Sequence, residues 1–402
     1  MGQFSSVQYL PKYNHPSSVY KVGSTIGRVH NSCQLQAFFP IDDEYEPPTS
    51  TSFSYWRDEA VNHITTLRDN IPSFAFFPLR RLHPVNHDTS SSHILKKVDA
   101  NGGDKTKKQK WPVIIFTHGL FGTMEMYTSL CSTLASQGYV VLALEHEDGS
   151  AIYSKTVENE VIRMRFPTKE DNGGNEFEYT RQNITRFREP FLDKRCLEMK
   201  NVLDAIKDSH MLEGFTSSLN DVFREIDLDN LVICGHSFGG AAVIHACDSL
   251  QEAGYKIKGR IVLDIWSMPV NEKYLEQKST IPSLFLFCPK FVASPEFQYT
   301  QKIMSVTTTT FNYEIKDISH QQFSDTPYFL WHALTSRLNL SGSLDPELAH
   351  QSIHETITTF LEVLDSKGVP LGSNLASTLS VTDIEAIDAK ILKNQYVLSL
   401  IR

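Results

Sequence analysis

Ser237 lies in a sequence setting that favours nucleophilic catalysis. It is the middle residue of GHSFG, residues 235 to 239, which matches the pattern G-x-S-x-G. That pattern arises by chance in roughly one chain in seven of this length, but here it directly follows the apolar run LVIC and precedes GAAVIHA. A strand, a sharp turn and a helix in this order form a nucleophile elbow, in which glycines allow a strained turn that lifts the serine hydroxyl above a sheet. We therefore predict that Ser237 is a nucleophile; the alternative is a glycine-rich helix start without a catalytic role.

A serine hydroxyl needs a base to take its proton and an acid to orient that base. In this type of sheet the expected chain order is serine, acid, histidine. Asp264 ends the strand-like run IVLD, and His320 follows the run FNYEIKDIS in a predicted loop. Asp248 and Asp325 fit less well, because the first is helical by pattern and the second follows the candidate base. The other histidines after Asp264 lie in stretches of helical pattern and are His332, His350 and His354. We predict Asp264 as the acid and His320 as the base, the alternatives being a capping aspartate and a structural histidine.

Acyl transfer also places negative charge on a carbonyl oxygen, which two backbone N–H groups usually hold. One donor is predicted at Phe238, the residue after the nucleophile, and the other at Leu120, in the loop that follows the strand-like run VIIFTHG. His118 and His146 could instead be metal ligands, but no cluster of His, Asp or Glu with metal spacing accompanies them. We expect structural hydrogen bonds at these histidines, and neither a metal nor another cofactor.

The elements around these residues indicate an α/β fold. The runs WPVIIFTHG, TMEMYTSLCSTLASQG and YVVLALEHEDGS follow the patterns of a strand, a helix and a strand, and at least five such strands alternate with helices. This predicts a mostly parallel, doubly wound sheet with helices on both faces. A charged stretch at about residues 154–190 is predicted as a surface insertion, followed by a helix from about Asp193 to Ser209. The predicted organisation is an N-terminal arm at 1–23, one domain at 24–370 that carries the insertion, and a C-terminal tail at 371–402.

The composition is that of an ordinary globular protein. The 38 Lys and Arg against 47 Asp and Glu leave a formal charge of −9, with 21% charged and 41% hydrophobic residues. These values exclude disorder, collagen and coiled coil, and the acidic balance disfavours nucleic-acid binding. The six cysteines lie too far apart for a zinc or redox pair, which indicates inert thiols in a reducing compartment. The sequence shows neither a secretory signal pattern nor an apolar run of the roughly 18 residues that a membrane helix needs, so we expect a cytoplasmic protein.

Several stretches together resemble the platelet-activating factor acetylhydrolase family, in both its plasma and its myristoylated intracellular types. They are FTHGLFG, LASQGYVVLALEHEDGSA, ICGHSFGGA, VLDIWSMP, ISHQQFSD and SGSLDPELA, and they occur in the family's order from about Thr25 to Phe360. The resemblance implies an α/β-hydrolase fold and a calcium-independent serine esterase. Such an enzyme removes acetyl and other short or oxidised sn-2 acyl groups from glycerophospholipids and releases lyso-phospholipid. The resemblance assigns the role of nucleophile to Ser237, of acid to Asp264 and of base to His320. It assigns the oxyanion donors to Leu120 and Phe238. The insertion from about Val157 to Asn175 and the loop FGTME depart from the expected pattern.

The N-terminus MGQFSS fits the myristoylation pattern M-G-x-x-x-[ST], which predicts an acyl chain on Gly2 and a partly membrane-associated protein. A single myristoyl chain binds bilayers only marginally, so a second contact is needed. The candidates are an aromatic cluster beside Arg80 and Arg81 and a helical stretch further on, namely Phe74, Phe76, Phe77, Leu79 and Trp331. Core packing explains these residues equally well, and the sequence does not predict the oligomeric state.

Two other functions fit the same residues. A generic carboxylesterase, lipase or peptidase shares the fold, because a fold does not select a substrate. A catalytically inactive binding protein of the same fold is disfavoured, because all three candidates for the serine, the acid and the histidine are present.

Overall fold

A computed structural model describes residues 19–41, 94–95, 110–209, 219–329, 341–366 and 381–399. The lipidation and membrane-contact predictions lie outside these residues, at Gly2, Phe74, Phe76, Phe77, Leu79 and Trp331, and they stay predictions. Within the described ranges, no helix combines the length and the apolar character needed to cross a membrane.

Nine of the strands form one twisted sheet. The strands are β1 (Lys21–Arg28), β2 (Gln34–Ile41), β3 (Trp111–Thr117), β4 (Val140–Glu145), β5 (Tyr153–Lys155), β6 (Val161–Arg163), β7 (Ile226–His236), β8 (Ile257–Leu263), β9 (Ser283–Phe287), β10 (Thr310–Ile315) and β11 (Val397–Ser399). The sheet order is β1-β2-β4-β3-β7-β8-β9-β10-β11, while β5 and β6 pair separately. From β4 to β10 all neighbours are parallel, and antiparallel pairs extend both edges. The carboxyl ends of the parallel strands therefore meet at one edge of the sheet, where ligands bind in open α/β sheets.

Helices cover both faces of this sheet. They are α1 (Thr128–Ser136), α2 (Arg181–Ser209), α3 (Asn220–Arg224), α4 (Phe238–Glu252), α5 (Lys273–Glu276), α6 (Pro289–Val292), α7 (Phe297–Ser305), α8 (Thr326–Phe329), α9 (Pro346–Ser366) and α10 (Val381–Ile391). Successive residues of β3 point to opposite faces, so Ile115 packs in one apolar core with α2 and α4, and Ile114 in a second core with α1, α9 and α10. Together these features confirm the predicted doubly wound α/β fold.

The start of helix α2 differs from the expectation. The helix begins at Arg181 and not near Asp193, so residues 181–190 do not belong to the insertion. A proline in a helix interior removes a backbone donor and disfavours the helix. In the structure Pro190 lies inside the helix, and Ile184, Phe187 and Phe191 before and after it are buried. The apolar stripe outweighs the lost hydrogen bond.

Both ends of the described chain belong to the main sheet. β1 starts at Lys21, three positions before the predicted boundary between arm and domain. The predicted tail contributes α10, which buries Ile387 and Ile391, and β11, which pairs with β10 through Val397 and Ile315. The described part of the tail thus docks on the domain and completes one edge of the sheet.

Candidate active site

Ser237 occupies a strained turn between β7 and α4. Its backbone angles are φ 56° and ψ −117°, a conformation that L-residues rarely adopt. A Cβ on Gly239 would lie 2.1 Å from the carbonyl oxygen of Thr117, and a Cβ on Gly235 would lie 2.3 Å from that of Gly239. Only glycine fits at either position, because strand and helix approach each other too closely for a side chain. This is the geometry of a nucleophile elbow.

Asp264 directly follows β8 and is fully buried. Its Oδ2 lies 2.6 Å from Nδ1 of His320, and its Oδ1 accepts the backbone N–H of Cys288 at 2.8 Å. The Cys288 thiol donates to Oδ2 at 3.1 Å. The carboxylate is therefore held by three partners and fixes one tautomer of the His320 ring, with the proton on Nδ1.

The Cys288 thiol is a positioning group that the sequence analysis missed. Burial raises the pKa of this thiol, and the neighbouring carboxylate of Asp264 raises it further. The group therefore stays protonated near neutral pH and remains a donor. The structure describes all six cysteines as free thiols, five of them buried, as inert thiols should be. The sequence signal that could have identified Cys288 is its position directly after β9, at the same sheet edge as Asp264.

His320 begins a short 3₁₀ helix, His320–Phe323, that orients its ring. Ser319 and Gln322 form a reciprocal capping box at the start of this helix, and Nε2 of Gln322 donates to the carbonyl of Leu344 at 2.9 Å. The ring of His236 lies 4.5 Å from the His320 ring, centroid to centroid. Burial, and then the charge of His320, holds the pKa of His236 well below its usual range, so His236 stays neutral beside the candidate base.

Ser237, Asp264 and His320 line one cavity of about 290 Å³. Its wall also contains Trp266, Cys288, Lys290, Phe291 and Glu296. Neither the ammonium group of Lys290 nor the carboxyl group of Glu296 has an ion-pair partner in the described part of the chain. Burial raises the pKa of Glu296 above its ordinary value. The structure therefore brings the three predicted residues together, beside one cation, one carboxyl group and two aromatic rings.

The loop after β3 leaves one backbone donor for an oxyanion. The N–H of Gly119 donates to Oη of Tyr127 at 3.2 Å, that of Phe121 to the carbonyl of Ser150 at 3.0 Å, and that of Gly122 to the carbonyl of Gly119 at 3.1 Å. The N–H of Leu120 has no acceptor among the residues that the structure describes. A Cβ on Gly119 would lie 3.1 Å from Cβ of Ser237, so the loop passes directly beside the serine.

Phe238 supplies the second predicted donor position. It is the first residue of α4, and the first N–H groups of a helix have no partner within the helix. The positive end of the helix dipole adds to the attraction for a negative oxygen. The two predicted donors thus follow the ends of two neighbouring strands, Leu120 after β3 and Phe238 after β7.

His118 and His146 take part in structural hydrogen bonds, as expected. Nδ1 of His118 bonds the carbonyl of Gly119 at 2.8 Å. Nε2 of His146 lies 2.6 Å from Oγ1 of Thr117 and its Nδ1 lies 2.7 Å from Oε2 of Glu198. Burial lowers the pKa of His146 and raises that of Glu198, which disfavours the charged form of each. No group of three or more metal-type side chains occurs among the described residues.

A family model described as platelet-activating factor acetylhydrolase, isoform II, matches residues 2–368. The chain belongs to this family. The resemblance noted from its motifs is thereby confirmed.

Individual members of the acetylhydrolase family are only distantly similar. A platelet-activating factor acetylhydrolase of Gallus gallus is 28% identical over 274 residues, which cover 63% of this chain and 62% of that protein. One of Cavia porcellus is 26% identical over 371 residues, 88% of this chain and 77% of that protein. Among solved structures, a ferulic acid esterase from Streptomyces cinnamoneus has a TM-score of 0.58 at 14% identity and covers 96% of this chain and 98% of its own. The esterase likeness supports the α/β-hydrolase fold alone, and the aligned part spans less than two thirds of the Gallus relative.

Proposed function

We propose that this protein is a serine esterase that hydrolyses the sn-2 acetyl ester, or another short or oxidised acyl ester, of platelet-activating factor and related glycerophospholipids. In enzyme terms it is a 1-alkyl-2-acetylglycerophosphocholine esterase that releases lyso-phospholipid. The observation that carries the proposal is the hydrogen bond between Asp264 and His320 at the wall of the cavity that contains Ser237. Membership of the acetylhydrolase family supports the substrate class.

The proposed mechanism uses two acyl-transfer steps. His320 Nε2 accepts the Ser237 proton as the hydroxyl oxygen attacks the sn-2 carbonyl carbon, while Asp264 stabilises the imidazolium that forms. The carbonyl oxygen becomes an anion held by the N–H groups of Leu120 and Phe238. The anion collapses, the bond to the glycerol oxygen breaks, and His320 returns its proton to that oxygen. Water, deprotonated by His320, then attacks the acyl carbon. The bond from that carbon to Ser237 Oγ breaks, His320 returns the proton to Oγ, and the acid is released.

The cavity supports a short acyl group on a phospholipid. A volume of about 290 Å³ is at the lower end for ligand pockets, which favours acetyl over a long acyl chain. Lys290 offers a charge for a phosphodiester. Glu296, Trp266 and Phe291 offer a carboxylate and aromatic faces, the groups that attract a quaternary ammonium.

The principal experiment compares wild-type protein with Ser237→Ala on a 2-acetyl glycerophosphocholine. Wild-type protein should release lyso-phospholipid in a burst followed by steady turnover, because an acyl-enzyme accumulates. The variant should lose at least about 10⁴-fold in kcat, as serine hydrolases do without their nucleophile. Full activity of Ser237→Ala would refute the proposal.

A generic carboxylesterase or lipase is the second candidate, because the ferulic acid esterase shares the fold. Rates on acetyl phospholipid, long-chain phospholipid, triglyceride and simple acetate esters separate the two functions. A preference for simple esters over the acetyl phospholipid would favour the generic enzyme. Failure of the protein to react with a fluorophosphonate probe would instead indicate an inactive binding protein of the hydrolase fold.

We also infer that the protein is cytoplasmic and associates in part with membranes through an acylated Gly2 and a second contact. The N-terminal motif MGQFSS supports this inference. Intact-mass measurement after expression in a eukaryotic host should show loss of Met1 and addition of a myristoyl group. A mass without the acyl group would contradict it.

A further inference from the structure

Arg195 is a fully buried arginine in the middle of α2, with no exposed side-chain surface. Its Nη1 donates to the backbone carbonyl of His118 at 2.5 Å and to Oγ1 of Thr117 at 2.9 Å. Both acceptors lie where β3 ends and the loop of Leu120 begins. One guanidinium therefore holds the start of the loop that carries the proposed oxyanion donor.

The same guanidinium also fixes the far side of Leu120. Nη2 of Arg195 donates to Oγ of Ser150 at 2.6 Å, and the carbonyl of Ser150 accepts the N–H of Phe121 at 3.0 Å. The chain on both sides of Leu120 is thus tied to Arg195, directly at the His118 carbonyl two residues before it and through Ser150 at Phe121 after it. This restrains the direction of the Leu120 N–H, which has no described acceptor of its own.

Arg195 contacts the second proposed donor residue as well. Its guanidinium carbon lies 4.6 Å from the centroid of the Phe238 ring, a cation–π distance, and this ring is fully buried. Phe238 is also the first residue of α4 and directly follows the serine. A single side chain from α2 thus touches the two segments that supply the two donors.

The charge of Arg195 is balanced within the same cluster. Nε donates to Oδ2 of Asp148 at 2.8 Å, and both side chains are fully buried. Oδ1 of Asp148 accepts the backbone N–H of Ser150 at 2.9 Å. A buried ion pair of this kind is often no more stabilising than an apolar replacement, so stability alone does not explain why the charged groups are present.

We propose that Arg195 is a positioning residue that holds the N–H groups of Leu120 and Phe238 in register as a preorganised oxyanion hole. The inference rests on the proposed esterase function. Fixed donors stabilise an oxyanion without reorganising during the reaction, whereas donors that drift by about 1 Å lose much of that effect. Arg195 acts on the chemical step and not on substrate binding, because it touches the loop and the helix start and does not line the cavity.

Three variants test the proposal, so that the test still stands if one of them fails to fold. Arg195→Lys keeps a positive charge beside Asp148 but loses the planar guanidinium, whose separate N–H groups reach the His118 carbonyl and Ser150. The double variant Arg195→Met with Asp148→Asn removes both charges of this ion pair together. Ser150→Ala removes only the hydroxyl that accepts from Arg195 and donates to Oδ1 of Asp148. Arg188→Met is the matched control, because Arg188 lies on the same helix, is also buried and has its guanidinium carbon 6.0 Å from the centroid of the Phe238 ring. It makes no hydrogen bond to the Leu120 loop in the described structure, so this control isolates the contribution of the Arg195 hydrogen bonds.

The readouts are kcat and KM for a 2-acetyl glycerophosphocholine, and inhibition by a trifluoromethyl ketone analogue that forms a tetrahedral oxyanion on Ser237. For Arg195→Lys and the double variant we expect kcat to fall about 100-fold, comparable to the loss of one oxyanion donor. KM should change by less than about threefold, and the affinity for the ketone should fall in parallel with kcat. Ser150→Ala should lose about threefold to tenfold in kcat, and Arg188→Met should leave both constants within about threefold of wild type.

A merely structural Arg195 predicts a different result. Folded Arg195→Lys with kcat and ketone affinity within about threefold of wild type would overturn the proposal, and so would a kcat loss without any loss of ketone affinity. Failure of the esterase proposal looks different, since Ser237→Ala would then hydrolyse the substrate as fast as wild-type protein.

Discussion

The sheet edge around Ser237 and the insertion between β4 and α2 are built in opposite ways. At the sheet edge Asp264 is fully buried and held by hydrogen bonds, and the backbone around Gly239 has no free space. The insertion, residues 153–180, forms its own two-stranded sheet of β5 and β6. It leaves Phe166 and Tyr179 with 49% and 72% exposure, and its ion pairs, such as Arg165 with Asp171 at 2.5 Å, lie at the surface.

This difference indicates that the sheet edge carries the catalytic residues, whereas the insertion affects the access of substrate to them. The sheet edge cannot change without disturbing the core, because its donors and acceptors are part of the packing between β3, β7 and α4. The insertion touches the loop after β3 through Phe121 and Phe166, whose ring centroids are 5.4 Å apart. Surface residues of this kind can vary at small energetic cost. We therefore expect large effects from changes at the edge and small ones from changes in the insertion.

The largest effect is expected from Gly239→Ala. Its Cβ would lie 2.1 Å from the Thr117 carbonyl oxygen, so either β3 or α4 must move. We expect loss of activity with loss of cooperative melting or of soluble protein. Gly174→Ala in the insertion is the control: its φ is +89° but no atom lies within 4 Å, so only backbone strain of about 1–2 kcal/mol is expected. Circular-dichroism melting measures the stability of each variant, and an esterase assay measures its activity. A wild-type melting curve for Gly239→Ala would contradict the expected difference between the two regions.

Asp264→Asn should reduce kcat by about 10⁴-fold without unfolding the protein, since an amide donor beside Nδ1 favours the wrong tautomer of His320. The control is Asp171→Asn in the insertion, which should change kcat by less than about twofold. Steady-state kinetics with a melting curve for each variant measure the effect. Equal losses in the two variants would remove the distinction between the regions.

Acid should destabilise the buried region and not the insertion. Burial lowers the pKa of His350 to about 4 and holds the pKa of His146 and His236 well below the usual range. These groups stay neutral in the folded state while the unfolded chain binds protons below about pH 6.5. Each therefore stabilises the fold fully above pH 6.5 and loses about 1.4 kcal/mol of that contribution for each pH unit below it, down to its folded pKa.

Urea denaturation between pH 7.5 and 4.5 tests this expectation. Below about pH 6.5 the free energy of unfolding should fall more steeply for wild-type protein than for His350→Gln, because the variant lacks this buried neutral imidazole. The raised pKa of Glu198 acts in the opposite direction, and it does so equally in both proteins. The insertion contains no histidine, so no buried neutral histidine links its stability to acid. Equal slopes for wild-type protein and His350→Gln would show that His350 is not buried in neutral form.

Cys288→Ala should lower kcat by about tenfold, since it removes one hydrogen bond to the Asp264 carboxylate. Cys288→Ser keeps a donor and should recover most of the rate, which a purely structural role would not require. Cys131→Ala serves as a control for a buried thiol elsewhere. The measurement is kcat of each variant at pH 7.5. Equal rates for the Ala and Ser variants at Cys288 would argue against a role of this thiol in positioning Asp264.

The smallest effect is expected from Phe166→Ser in the insertion. Half of this ring is exposed and the rest packs on Phe121. The kcat should stay within about twofold of wild type, while KM for micellar phospholipid should rise about twofold to threefold as apolar rim surface is lost. Kinetics on micellar and monomeric substrate measure both constants. A tenfold fall in kcat would mean that the insertion takes part in the chemistry.

Much of the fold could be predicted, because strands and helices carry local patterns. The runs LVIC, IVLD and FNYEIKDIS lie where β7, β8 and β10 form, and the helix that follows GHSFG starts at Phe238. The start of α2 could not be predicted, since Pro190 is a local signal and the packing that tolerates it is not. The docking of the C-terminal segment likewise depends on β10, which lies more than eighty residues earlier in the chain.

In the candidate site too, some residues could be predicted from local sequence and others depend on contacts with distant parts of the chain. Ser237, Asp264 and His320 could be selected from residue type, chain order and the ends of strands. Cys288 and Arg195 could not, because a cysteine after a strand and an arginine in a helix have many roles. Their partners, Asp264 and the His118 carbonyl, lie 24 and 77 positions away.

By itself, the sequence determined the order of the elements and the residues able to do the chemistry. Hydrophobic periodicity and the need for glycine at a strained turn are local properties, written in neighbouring residues. Only the tertiary structure decided which of those residues meet, the tautomer that Asp264 imposes on His320, and the protonation of Cys288 and His236. Those properties arise from burial and from contacts between strands distant in the chain, where a low dielectric makes each hydrogen bond and each charge depend on its surroundings.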